Sequence, residues 1–203
     1  MIEKGAVLPL FYLPPVEYFS KLNTYKPDIL IEREEHFPKQ TYRNRAHIYS
    51  PDGILPIVVP VVKGSKTHTK VKDVKISYDF NWQRLHWMSL QACYRRSAYF
   101  EYYEDELVPF YEKNIPFLFD YNEQLLHFIM KAIKMKVELK FTESYEPAYP
   151  SMEDVRNAIS PKKKADPGQK PYMQVFDERM GFQQNLSIVD LLFNQGPHSM
   201  NYL

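Results

Sequence analysis

One cysteine, Cys93, is all that this chain of 203 residues carries. A disulfide framework and a multi-cysteine zinc or iron–sulfur site are therefore excluded within one chain, and a reducing compartment fits. Glycine is scarce, at 6 residues, and no two are spaced to make G-x-G-x-x-G or G-x-x-x-x-G-K-[ST], so neither glycine-rich phosphate cradle is present. Long apolar runs are missing too. Ile54 to Val62 is the most apolar stretch, with Pro56 and Pro60 inside it, far short of the roughly 20 residues a spanning helix needs. No small-residue cleavage site follows the apolar stretch Ala6 to Leu13, so no signal peptide is read and a cytoplasmic protein without membrane insertion is expected. Charge of one sign is lacking as well. Lys+Arg number 26 against Asp+Glu 25, a net +1, which supplies no global field toward nucleic acid or membrane.

Present in quantity are 16 prolines, 16 tyrosines and 13 phenylalanines. Hydrophobic residues at 44% and charged residues at 25% are those of a folded globular chain, long enough for one core. Residues 1–203 are read as a single α/β domain: a β-α-β opening, a mixed sheet and several flanking helices. Ala6 to Tyr12 reads as a buried strand, Pro14 and Pro15 open a helix over Val16 to Leu22, and Asp28 to Glu32 is a second strand. Such a crossover predicts a parallel pair. Thr41 to Tyr49 alternates, the turn Ser50 to Gly53 follows, and Leu55 to Val62 completes a hairpin. Val71 to Tyr78 alternates again.

Asn81 or Asp79 caps a helix running to about Arg95, with Leu85, Met88, Ala92 and Tyr94 or Arg95 at helical spacing. Tyr99 to Val108 is the next helix, ended or kinked by Pro109. Asp120-x-x-Glu123 resembles a capping box, ahead of an apolar stripe of Leu125, Leu126, Ile129 and Ile133. Val137, Leu139 and Phe141 mark a late strand, Met152 to Ile159 a short helix, and Tyr172 to Phe176 a further strand. Residues 160–171, polar and Pro-rich, predict a mobile loop. Ser187 caps a last helix that Gly196 and Pro197 stop.

The sharpest local feature is Lys39 to Ile48, KQTYRNRAHI. Two strand residues advance about 7 Å, so Arg43 and Arg45 would lie side by side on one face. Their guanidinium forks suit a phosphate or carboxylate, with His47 in the same row and Lys39 and His36 before it. The commoner outcome for such a row is a solvated face of weak ion pairs. The first β-α turn, with Tyr12, sits where open α/β sheets place ligands, yet its prolines remove donors and a rigid corner is an equal reading. His86, between Trp82, Ser89 and Cys93 on a helix, is a candidate general base, against the commoner packed core histidine. Cys93 reads as a small buried apolar residue ahead of a reactive thiol. Lys63 to Lys75 is an anion-gathering flap or a soluble edge guard. Glu101, Glu104, Asp105 and Glu106 are an outer helix face before they are a metal site. The six histidines show no metal spacing, so no metal and no cofactor is assigned, although ligands from distant residues stay open. No G-x-S-x-G elbow is present.

Taken together, FYLPPVEYF (Phe11 to Phe19), KQTYRNR (Lys39 to Arg45), WQRLHW (Trp82 to Trp87), YFEYYEDEL (Tyr99 to Leu107) and NLSIVDLLFNQGP (Asn185 to Pro197) resemble the WbqC-like protein family over nearly the whole chain. The resemblance implies a bacterial, cytoplasmic protein. It also implies a role in modifying or transferring groups onto activated sugars, since the family's namesake is similar to products of surface-polysaccharide gene clusters. It brings no catalytic residue with it. The opening also invites comparison with HUP-type nucleotidyl transferases, whose H-x-G-H signature is missing.

The expectation is thus a transferase-like enzyme for a small anionic, phosphate- or nucleotide-activated metabolite. His86 would be its acid–base group, with Arg43, Arg45, Asn44, Lys39, His36 and Tyr12 its binding residues. The alternative is a protein-interaction module docking through the aromatic and acidic helix 99–111. Nucleic acid ranks third.

Overall fold

The computed structural model describes residues 5–62, 69–164 and 168–203. Strand β1 (Ala6–Pro9) is buried along its whole length, as an apolar run covered on both faces of a sheet must be. The chain then turns through Pro14 and Pro15 into helix α1 (Val16–Tyr25), whose Val16, Tyr18, Phe19 and Leu22 face the core. Strand β2 (Ile29–Glu32) returns parallel to β1, in register from Ala6 with Ile29 to Pro9 with Glu32. The parallel pair expected from the crossover is therefore present.

Strands β3 (Arg45–Ser50) and β4 (Gly53–Val58) form an antiparallel hairpin. Gly53 takes φ 106° at its turn, a region that side chains with a Cβ disfavour. Helices α2 (Trp82–Tyr94), α3 (Phe100–Leu107), α4 (Pro109–Glu112) and α5 (Leu118–Ala132) follow. Strand β5 (Leu139–Phe141) pairs parallel with β2, and β6 (Glu153–Asp154) pairs parallel with β1. Helices α6 (Asp177–Met180) and α7 (Ile188–Gln195) complete the chain before a closing 3-10 segment. The four-stranded sheet has the order β5-β2-β1-β6. Its strand order reverses at β1, which makes the carboxyl edge beside β1 and β6 a topological switch point. One hydrophobic cluster runs through both sheets and the helices.

The α/β reading holds with both kinds of pairing, the parallel strands in one sheet and the antiparallel pair in another, and several local expectations are corrected. The strand expected from Thr41 begins only at Arg45, because the preceding segment is a turn: Thr41 Oγ donates to the Pro38 carbonyl at 3.2 Å and Gln40 adopts φ 61°. Val71 to Tyr78 is a 3-10 turn with single bridges, Lys75 to Phe117 and Ile76 to Val61. Its apolar alternation is real, since Val71, Val74 and Ile76 are buried, but among the described residues no neighbouring strand runs along it.

Residues 152–159 form β6 and a turn instead of a helix, and Tyr172 to Phe176 is held by side-chain bonds instead of a ladder. Helix α2 buries Trp82, Gln83, His86, Leu90, Cys93 and Tyr94, and leaves the expected stripe residues Leu85 and Met88 at 56% and 51% exposure. Helix α5 starts at Leu118, so Asp120 sits in its first turn instead of capping it. Pro109 opens α4. Ser187 does cap α7, accepting from the Val189 N–H, and Gly196 ends it at φ 53°. The expected flap lies outside the described residues over 63–68, as does the 160–171 loop over 165–167. No helix among the described residues is long and apolar enough to cross a membrane.

Candidate functional site

A cleft of about 370 Å³ opens beyond the carboxyl ends of β2 and β5. Arg33 is the first residue after β2, and its backbone N–H donates to Thr142 Oγ at 3.1 Å, tying the ends of the two strands together. Phe141 closes β5. Phe117, Phe119, Asp120 and Glu123 line the opposite wall from the start of α5, and Lys72 and Asp73 enter from the 3-10 turn. That turn is fastened to the sheet by the Lys72 and Val71 N–H groups, which donate to the carbonyls of Arg33 and Glu35. Phe119 meets Phe141 edge-on at 5.9 Å, and Lys75 Nζ lies 6.0 Å over the Phe117 ring.

Behind the cleft, buried Glu34 accepts from Lys70 Nζ at 2.7 Å and Lys72 Nζ at 2.6 Å, with Arg33 Nε at 3.4 Å. The two lysine hydrogen bonds hold its carboxyl down at about 2. Arg33 Nε is enclosed but makes no hydrogen bond among the described residues.

Next to the switch point lies a second charged group. Glu32, Arg43 and Arg156 are 0%, 1% and 3% exposed. Arg43 Nε donates to Glu35 Oε1 at 2.7 Å, Nη2 donates to the Arg156 carbonyl at 3.1 Å, and the guanidinium lies 5.7 Å from the Phe11 ring. Arg156 donates to Asp154, Glu32 and the carbonyls of Glu146 and Pro147, flanked by the rings of Tyr145 and Tyr149 at 5.2 and 5.1 Å. Thr142 Oγ and the Glu34 N–H both donate to Glu32 Oε1 at 2.8 Å. Burial pushes the Glu35 carboxyl up while Arg43 beside it pulls the other way. Every guanidinium here is already committed to carboxylates or carbonyls, so this network orders the loops at the sheet's carboxyl edge.

A third constellation joins two residues singled out from sequence. Tyr12 Oη is 2.9 Å from His86 Nδ1 and 3.1 Å from Tyr111 Oη. Burial holds His86 down at about 4, partly offset by a hydrogen bond to the Val58 backbone, so its imidazole is neutral at pH 7. Tyr121 stacks on Tyr12 at 5.9 Å and Trp82 sits edge-on to His86 at 5.0 Å.

Of the other expected site residues, Arg43 precedes β3, so it does not share a strand face with Arg45. Arg45 is half-buried, with Nε enclosed and without a hydrogen bond among the described residues. Asn44 Nδ2 donates to the Val59 carbonyl at 2.9 Å. His36 and Lys39 are exposed, and His36 bridges to Lys70. None of the seven lines the cleft.

The Cys93 thiol is pushed up to about 11 by burial and is not an activated nucleophile. Among the described residues no three His, Cys, Asp or Glu side chains are placed to hold a metal. Sequence reasoning placed neither Arg33 nor the three phenylalanines in a site, and held Lys72 only as part of the basic segment Lys63 to Lys75. Arg33 carried a signal as the residue directly after the strand Ile29 to Glu32, at the carboxyl edge of the sheet.

The family model of the WbqC-like protein family matches residues 11–166. The uncharacterized protein Rv1507c of Mycobacterium tuberculosis (strain ATCC 25618 / H37Rv) is 28% identical to this chain over 228 residues, covering 100% of this chain and 98% of that protein. No solved structure matches.

Proposed function

We propose a transferase activity for this chain, which belongs to the WbqC-like protein family: it takes a small anionic, phosphate- or nucleotide-activated metabolite in the cleft beyond β2 and β5. The observation that carries this reading is the lining of that cleft, with the cationic Arg33 and Lys72 facing Phe117, Phe119 and Phe141. Two cations suit a phosphate and the rings suit an apolar or aromatic moiety. The cleft lies on the carboxyl edge of the parallel sheet, the edge on which α/β sheets take ligands, one strand away from the switch point between β1 and β6. Asp120 and Glu123 are the acid–base groups within reach of such a ligand. Arg43, bound to Glu35 just past β2, acts here as a positioning residue for the loop behind the cleft, while Tyr12, His86 and Asn44 tie the first β-α turn and the segment before β3 to the core. The family's namesake makes surface-polysaccharide synthesis in the cytoplasm the proposed setting.

The docking alternative has less to stand on. Phe100, Tyr103, Leu107 and Tyr111 turn inward, and of the segment's aromatic residues only Tyr102 is fully outside.

Isothermal titration of a panel of nucleotide-sugars against wild type, Arg33→Ala/Lys72→Ala and Arg45→Ala tests the reading. Binding heat lost in the first variant and kept in the second is the expected result. Equal heats in wild type and Arg33→Ala/Lys72→Ala would overturn it.

A further inference from the structure

We infer that the ligand of this cleft carries a protonated amine as well as its phosphate, so that its substrate class is phosphorylated amines. The inference rests on the transferase reading and narrows it. Among the cleft's lining residues, Arg33 and Lys72 are opposed by Asp73, Asp120 and Glu123, which leaves one negative charge in excess. Directly behind, Glu34 is matched by Lys70 and also takes up part of the charge of Lys72 and Arg33. A phosphate alone would leave Asp120 and Glu123 without a counter-charge, which an ammonium on the same ligand supplies. A dipolar ligand suits the layout: Arg33 comes from the end of β2 and Lys72 from the 3-10 turn, which also carries Asp73, while Asp120 and Glu123 come from α5.

On α5 these two carboxylates are three residues apart and share one helix face. Asp120 is exposed with no side-chain hydrogen bond among the described residues, and Glu123 has only a contact of 3.8 Å to His127. Both are therefore available to a guest. The aromatic wall points the same way. A ring face attracts an ammonium; the chain's own Lys75 Nζ takes the Phe117 ring at 6.0 Å, and Phe119 and Phe141 are the further rings of the lining. A ring face beside two carboxylates is a recognition site for an ammonium, and a pair of cations across about 370 Å³ receives the phosphate.

One nearly isosteric pair isolates the amine: glucosamine 6-phosphate and glucose 6-phosphate, titrated into the full chain at pH 7 and followed by amide chemical shifts. Two exposed ion pairs predict that the amine binds roughly five- to tenfold tighter. The preference should vanish in Asp120→Asn/Glu123→Gln, and both ligands should weaken in Arg33→Met. Equal affinity for the two ligands, lost in Arg33→Met, would overturn the amine and leave the cleft as a phosphate site. Binding of neither ligand would overturn the cleft reading together with the amine.

Discussion

Replacing Arg43 by methionine removes the guanidinium hydrogen-bonded to Glu35 and leaves only the more distant charge of Arg156 to offset that carboxyl. Glu35 is buried and receives Arg43 Nε at 2.7 Å, and Glu32, itself fully buried, stands close enough to raise the Glu35 carboxyl further. Methionine fills much of the volume, so the cost is mainly an uncompensated buried carboxylate, about 3–5 kcal/mol. In a chain of this size that lowers the thermal midpoint by about 6–20 °C.

The pH dependence identifies the cause. Without Arg43 the folded-state pKa of Glu35 rises further above its unfolded value. The folded variant then binds a proton that the unfolded chain releases, and its deficit against wild type shrinks as pH falls from 7 toward 5. Urea titrations of wild type, Arg43→Met and Arg43→Met/Glu35→Gln at both pH values measure this. The double variant is expected to recover about 2 kcal/mol or more of the loss, since the charge left unpaired is gone. A loss below about 1 kcal/mol in Arg43→Met, or a double variant no better than the single at pH 7, would refute the reasoning.

Asp190, buried on α7, accepts from Tyr172 Oη at 2.8 Å and Gln174 Nε2 at 2.9 Å, yet burial holds its carboxyl up at about 6. A carboxyl raised in the folded state gives stability that grows as pH falls through the window from 6 to its unfolded value and is lost as pH rises, roughly 3 kcal/mol in all. Asp190→Asn should flatten that part of the stability–pH curve measured by denaturant titration, and an unchanged slope counts against the assignment. Glu34 works in the opposite sense: its lowered carboxyl contributes above its unfolded value, and that stability fades as pH falls toward 2. A Cβ at Gly196 would stand 2.5 Å from the Tyr99 ring at φ 53°, so Gly196→Ala should cost about 2 kcal/mol or more. A thermal midpoint within 2 °C of wild type would show that the ring can yield.

The β-α-β opening was legible because each of its signals is local: an unbroken apolar run, two prolines, then a helical face of Val16, Tyr18, Phe19 and Leu22. The last helix was legible for the same reason, through Ser187 and Gly196. Helix α2 was misread because its buried face is partly polar. Gln83 is buried since its amide reaches the carbonyls of Phe110 and Lys113, and His86 since Tyr12 waits for it. Those partners lie far away in sequence, so hydropathy favoured the exposed Leu85 and Met88 instead. Arg43 was placed on a strand face beside Arg45 because its actual partner Glu35 meets it only once residues 38–44 turn. The cleft was hidden for a similar reason, since Arg33, Lys72, Phe119 and Phe141 come from four elements that meet only in three dimensions.

Strand β1 is the earliest element of the sheet and lies inside it, flanked by β2 on one side and β6 on the other. During synthesis its second edge has no partner until Glu153 has left the ribosome, roughly seven to thirty seconds after β1 itself is made. For that interval the nascent protein displays an apolar ribbon with unsatisfied backbone groups. Its yield in a cell should therefore track the supply of chaperones that bind such ribbons.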